Sequence, residues 1–102
     1  MKTSVQDTSL EAFARIRHMG RNELAVLGVL LKRGPACNQE IADTLQWPVN
    51  CITGRTMELR EKGLVEEAYR EVYKSRRVIH WQVAPKAKIR LEQFRGQLWP
   101  TS

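Results

Sequence analysis

The amino-acid sequence predicts an α+β fold, a three-helix core carrying a two-stranded hairpin, with an additional helix at each end. Three observations lead there. A short apolar-striped segment, Asn38-Gln-Glu-Ile-Ala-Asp-Thr-Leu45, is separated from a longer one only by Gln46-Trp47-Pro48, which leaves room for a tight turn. The longer segment closes on Glu58-Leu-Arg-Glu-Lys-Gly-Leu-Val65, where Gly63 supplies a left-handed helix end. Ile79, Trp81 and Val83 then alternate with Val78, His80 and Gln82, the period of a half-buried strand.

Each element has its own local signal. Thr8 can cap a first helix while Glu11 reaches back, with Leu10 and Phe13 on its apolar side and Gly20 at its end. A second helix runs from about Asn22 to Arg33. Leu24, Leu27, Val29, Leu30 and Leu31 make it apolar around most of its circumference, so it belongs in the core. Gly34-Pro35 stops it, because proline lacks an amide proton and forces its neighbour out of helical geometry. Asn38 is a suitable N-cap for the third helix, which buries Ile41, Ala42 and Leu45. Pro48 fits the first position of the fourth helix, which would turn Val49, Ile52, Thr56 and Leu59 inward. Its other side carries Asn50, Thr53, Gly54, Arg55, Met57 and Glu58.

Strands are expected at 64–69 and 77–83, with Arg70-Glu-Val-Tyr-Lys-Ser-Arg76 as the loop between them. Pro85 opens a last helix lined by Ala87, Leu91, Phe94 and Leu98, and Pro100 ends it. Trp81 alternates with core positions, Trp47 covers the turn, and Trp99 is either an interface anchor or a tail residue. The resulting division is a helical extension at 1–19, the central domain at 20–84, and a C-terminal helix and tail at 85–102.

Composition narrows the function classes. A chain of 102 residues holds one domain with a modest core. Its formal charge of +6 fits a polyanionic partner or simply a solvated basic surface. The longest apolar run, Leu24 to Leu31, is far below the roughly 20 residues needed to cross a bilayer. The N-terminus shows no hydrophobic signal region, so a cytoplasmic protein is expected. Cys37 and Cys51 have no Cys-x-x-Cys or His-x-x-His context, and His18 and His80 stand alone, so neither a metal nor another cofactor is expected. No nucleophile–base–orienter set or phosphate loop is visible, which argues against an enzyme.

With those residues in place, the segment 38–83 resembles the winged helix-turn-helix superfamily of bacterial regulators, including the broad MarR/ArsR-like group. The capped short helix with Ile-Ala and Leu, the turn, and the closing phrase Glu58 to Val65 carry the resemblance. Trp47-Pro48 and Trp81 are similar to small phage- or prophage-type proteins of that fold. The resemblance implies sequence-specific binding of double-stranded DNA, transcription regulation, and a homodimer on a palindromic site.

On that reading helix 49–62 enters the major groove and the 70–77 wing holds the backbone or minor groove. Asn50, Thr53 and Arg55 are the base-reading candidates: Arg grips guanine O6 and N7, Asn pairs with adenine N6 and N7, and Thr reaches a thymine methyl or a phosphate. Gly54 would permit close approach. Arg55 could equally pair with Glu58, and Asn50 and Thr53 could be capping or solvated residues. Arg70, Tyr73, Lys74, Arg76 and Arg77 form the wing set, and a cluster of like charges there would also keep the hairpin from pairing with foreign sheets. Asn38 and Gln39 stand at a helix N-terminus, where free amides suit a phosphate. Leu10, Phe13, Leu91, Phe94 and Leu98 either form a dimer interface or fold back on their own domain. The alternatives to DNA-dependent regulation are a protein–protein interaction module and an accessory role in phage replication or recombination.

Overall fold

The computed structural model describes residues 19–99. The helix expected from Thr8, with Leu10 and Phe13, lies outside them, as does Pro100. The described elements are α1 (Arg21–Arg33), β1 (Ala36–Cys37), α2 (Asn38–Leu45), α3 (Val49–Glu61), β2 (Val65–Tyr73), β3 (Arg76–Val83), α4 (Pro85–Gln93) and a single helical turn, α5 (Arg95–Leu98). The strands form one antiparallel sheet in the order β1-β3-β2. The hairpin expected from sequence thus gains a third strand. With two residues, β1 is too short for its alternation to be read.

The helices pack through the stripes that their spacing dictates. Val26, Leu27 and Leu30 of α1, Ile41 of α2, and Ile52 and Leu59 of α3 are all fully buried. Thr56 joins them because its hydroxyl donates to the Thr53 carbonyl (3.0 Å), so no polar group is orphaned. Val49 does not join them. It is 40% exposed at the first turn of α3, where the helix has just left the turn and has not reached the core.

Helix ends follow local chemistry, with two corrections. The α2 N-cap is Cys37, not Asn38, and Glu40 Oε1 accepts the Cys37 amide (3.1 Å) in the role expected of a capping side chain. Pro48 is the α3 N-cap in extended geometry rather than the first helical residue. Gln46 takes the left-handed conformation (φ 60°) that ends α2 and lets the Trp47 amide reach the Ala42 carbonyl at 3.0 Å. Gly63 (φ 77°) closes α3 as expected. The Leu64 amide bonds to the Leu59 carbonyl and the Gly63 amide to that of Arg60.

The hairpin is more regular than its sequence suggests. The 70–76 stretch is not a loop: β2 runs to Tyr73 and β3 starts at Arg76. Only Lys74 and Ser75 turn, both at positive φ (52° and 70°). That is the mirror-image turn whose twist matches the strands, and it usually selects Asn-Gly, so Lys-Ser gives little warning of it. A bulge between Glu67 and Tyr69 leaves Ala68 unpaired and redirects the outer half of β2.

The C-terminal segment returns to its own domain. The expected helix breaks at Phe94, between α4 and α5. Leu91 is fully buried, and Leu98 and Trp99 pack against the core. Trp99 is therefore no loose tail residue: its Nε1 donates to the Leu24 carbonyl (2.9 Å). Gly28 makes room for it, since a Cβ there would lie 2.8 Å from Trp99 Nε1.

Glu23 ties the first and third helices together. It accepts the Gly20 amide (3.0 Å), which starts α1, and the Lys62 ammonium (2.7 Å), which follows the last turn of α3. Burial alone would raise its carboxyl, but Lys62 and the Gly20 amide outweigh burial and hold it below the ordinary carboxylate range.

Two outcomes follow. Glu23→Gln should cost about 1–2 kcal/mol at neutral pH, less than a fully buried pair because Lys62 is partly solvated. Because the folded-state value is depressed, this stabilisation exists above the unfolded-state value and fades as pH falls through the folded-state value. Denaturant titrations of both proteins should therefore converge in acid, and a pH-independent gap would refute the ion-pair account. Gly28→Ala should eject the Trp99 indole despite a helix-propensity gain of about 1 kcal/mol, seen as a red shift in tryptophan emission.

Candidate nucleic-acid interface

Three elements converge on one concave face: the N-terminus of α2, the first half of α3, and the hairpin. Asn38 and Gln39 line it from α2, Val49 and Thr53 from α3, and Arg70, Tyr73, Lys74, Arg76 and Arg77 from the hairpin. The tight turn between α2 and α3 makes this convergence possible, and the buried stripe of α3 fixes which of its residues look outward.

The helix period sorts those residues. Asn50, Thr53, Gly54 and Met57 are exposed along one side of α3. The Thr53 hydroxyl donates back to the Val49 carbonyl (3.2 Å) and stays at the surface. Nothing lies within 4 Å of a Cβ built on Gly54, so packing within the chain does not require glycine there. Arg55 lies on the opposite flank, beside Gly20, Arg21, Asn22 and Glu23 at the start of α1. Its Nε is 2.8 Å from Glu58 Oε1, and its Nη2 donates to Glu58 Oε2 (3.0 Å). The structure therefore does not bring Arg55 together with Thr53 and the wing. Arg60, which sequence reasoning passed over, is exposed on the wing side, with its guanidinium 5.8 Å from the Trp81 ring centroid.

The hairpin cations differ in their engagements. Arg70 pairs with Glu67 (3.1 Å). Lys74 lies 3.7 Å from Asp43 Oδ2 and over the Tyr73 ring. The Tyr73 hydroxyl donates to Asp43 Oδ2 (3.2 Å), tethering the hairpin tip to α2. The Gln39 amide donates to the other Asp43 oxygen (3.0 Å), and these contacts, Gln39 first, hold the Asp43 carboxyl below its ordinary range. Gln39 is thus committed within α2. Asn38 keeps a buried Oδ1 that has no hydrogen-bond partner. Arg76 and Arg77 are exposed and make no ion pair among the described residues.

Behind this face, His80 is not isolated. It is buried, stacks on Tyr69 (centroids 4.8 Å apart), and lies with Cys37 and Glu40. Burial pushes the Cys37 thiol up, and the Glu40 carboxylate adds to the shift. The three residues lie at 37, 40 and 80, so no local spacing could have revealed them. Only the β1–β3 register brings them together.

No protein-family model matches the sequence. No curated protein matches it significantly. Solved structures do. NMB1585, a MarR family regulator from Neisseria meningitidis, aligns with a TM-score of 0.59 at 17% identity, over 96% of this chain and 72% of that one. MepR of S. aureus, solved as a complex with DNA, gives 0.61 at 17% identity, over 93% and 76%. The homodimeric winged helix-turn-helix DNA-binding domain of Mb0332 from Mycobacterium bovis, a possible ArsR-family regulator, gives 0.61 at 18% identity, over 95% and 82%. Against other matched structures this chain spans as little as 51% of the other chain's length. No described helix is long and apolar enough to cross a membrane. The chain therefore has the winged helix-turn-helix fold.

Proposed function

We propose that this chain binds double-stranded DNA and regulates transcription. The observation that carries the reading is the concave face itself, where the outward side of α3 stands beside a hairpin with two uncommitted arginines. A helix of 13 residues is about 20 Å long and fits a major groove about 12 Å wide. In that pose Asn50 and Thr53 meet base edges, Gly54 lets the helix approach, and Arg76, Arg77, Lys74, Tyr73 and Arg70 follow the adjacent backbone or minor groove. Asn38 and Gln39 stand at the N-terminus of α2, where free helical amides and the Asn38 side-chain N–H can donate to a phosphate. Arg55 lies on the flank of α3 that faces the start of α1, away from the hairpin, so base reading falls to Asn50 and Thr53. The DNA complex of MepR and the DNA-binding domain of Mb0332 support this use of the fold.

The Mb0332 homodimer supports a two-fold arrangement here as well. Leu91, being buried in its own domain, contributes nothing to such an interface, and Leu98 packs on the same core. Regulation of a phage or prophage promoter rests only on the resemblance of Trp47-Pro48 and Trp81. A second reading, docking of a protein on α3, draws on Val49 and Met57, which are exposed apolar residues beside the same groove.

Titration of random-sequence duplex DNA at several salt concentrations tests the proposal. Affinity should fall linearly on a log–log plot, and Arg76→Ala or Arg77→Ala should weaken all sequences alike while flattening the slope by about one unit per contact. At a selected site, Asn50→Ala should cost about 1–3 kcal/mol and relax one base position, whereas Arg55→Ala should leave the sequence preference unchanged. Absence of binding near about 100 μM at low salt would transfer the assignment to protein docking.

A further inference from the structure

Cys37 and His80 face each other directly across the β1–β3 ladder. Side chains of such a pair lie on the same side of the sheet, a few ångströms apart. Glu40 stands one helical turn after Cys37, and the capping contact of its Oε1 with the Cys37 amide folds it back toward the strand pair. One ligand atom from each of the three residues lies within 4.8 Å of the others. Cys37 is 1% exposed and His80 5% exposed.

The His80 ring leaves its polar atoms largely unsatisfied. Its Nε2 is 3.5 Å from Glu40 Oε1, beyond the ordinary range of an N–H···O bond, and its buried Nδ1 has no hydrogen-bond partner. A buried ring nitrogen without a partner is costly, and a ligand that takes it removes that cost. The Tyr69 ring stacks on the imidazole, and Arg33 Nη2 approaches the other Glu40 oxygen at 3.5 Å. Both hold the donors in place.

We propose that Cys37 Sγ, the Glu40 carboxylate and a ring nitrogen of His80 bind one divalent transition-metal ion, of which Zn²⁺ is the biological representative. Mixed sulfur, nitrogen and oxygen donors suit a borderline-soft ion and disfavour Mg²⁺ or Ca²⁺, which take oxygen ligands. Bond lengths of about 2.0–2.3 Å place tetrahedral ligands roughly 3.3–3.8 Å apart, so the donors close by about 1 Å through side-chain rotation. The thiol proton leaves to solvent as the metal–sulfur bond forms, and water completes the fourth position. The ion would pin the β1–α2 corner to the central strand of the sheet. None of this depends on the DNA reading.

The test uses the full-length chain in oxygen-free buffer with Co²⁺ as a spectroscopic probe. The expected result is saturable binding of one ion per chain with a near-ultraviolet thiolate-to-cobalt band, displaced by Zn²⁺ and accompanied by a higher melting temperature. Cys37→Ser should abolish the band, and Glu40→Gln or His80→Gln should weaken Co²⁺ binding by at least about tenfold. Cys51→Ser should change nothing, since that exposed thiol lies outside the site. A band lost in Cys51→Ser but kept in Cys37→Ser would overturn the proposal, as would no thiolate band at all. Should a variant misfold by circular dichroism, X-ray absorption of the zinc-loaded parent decides: a first shell with one sulfur and light donors supports the site, and one without sulfur refutes it.

Discussion

The hairpin points where it does because Trp81 and Val83 must be buried. Both sit at the base of β3, the strand that pairs with β1 on one side and β2 on the other. Side chains alternate along a strand, so burying these two on one face commits His80 to the other, opposite Cys37. A slip of one residue would bring the Trp81 indole into the small corner that holds His80 beside Cys37 and Tyr69, and put the imidazole among the apolar core residues. The bulge at Ala68 reconciles β2 with this register: Val65 stays buried beside Val83 while Tyr69 comes opposite His80. The direction of the wing, and hence its distance from α3, is a consequence of packing several residues away.

Electrostatic contacts refine that placement. Glu23 joins the start of α1 to the residue after α3, so the helix carrying the outward-facing residues cannot shift along its axis without breaking a partly buried ion pair. At the other end of the domain, Asp43 receives the Tyr73 hydroxyl and lies near the Lys74 ammonium, which draws the hairpin tip toward α2. Each exposed pair contributes little on its own, about 0–1 kcal/mol. Their effect is on geometry: they select one disposition among those that the core leaves nearly equal in energy.

What the sequence reveals divides along the range of the interactions involved. The exposure of Val49 and the cap position of Pro48 are not legible, whereas the α1 and α2 stripes, Ile52, Thr56 and Leu59 of α3, the turn after Gln46 and the glycine end at Gly63 depend on residues within one or two helical turns and are. The strand alternation of Ile79, Trp81 and Val83 is legible for the same reason. The two-residue β1, the bulge at Ala68 and the Lys74-Ser75 turn are not, because pairing with distant residues imposes each against weak local preference. The candidate face divides in the same way. That α3 would be half polar follows from its period, whereas the capping of α2 by Glu40, the tether from Tyr73 to Asp43 and the meeting of Cys37 with His80 all require the assembled sheet.

Arg55 shows why residue type alone misleads at such a face. An arginine beside Asn50 and Thr53 in the sequence looks like part of one reading set, and its pairing with Glu58 is no real obstacle, since a solvated ion pair is easily exchanged. Direction is the obstacle. Ile52, Thr56 and Leu59 are all fully buried and fix the rotation of α3 about its own axis. Turning the helix far enough to bring Arg55 round to the hairpin would expose that stripe and bury polar residues in its place. A partner that docks in the concave face therefore meets Val49 and Thr53 of α3 beside the hairpin cations, with Asn50, Gly54 and Met57 exposed along the adjoining side of the helix and Arg60 on the wing side. The core, through the rotation it imposes on one helix, decides which part of a +6 chain is available for recognition.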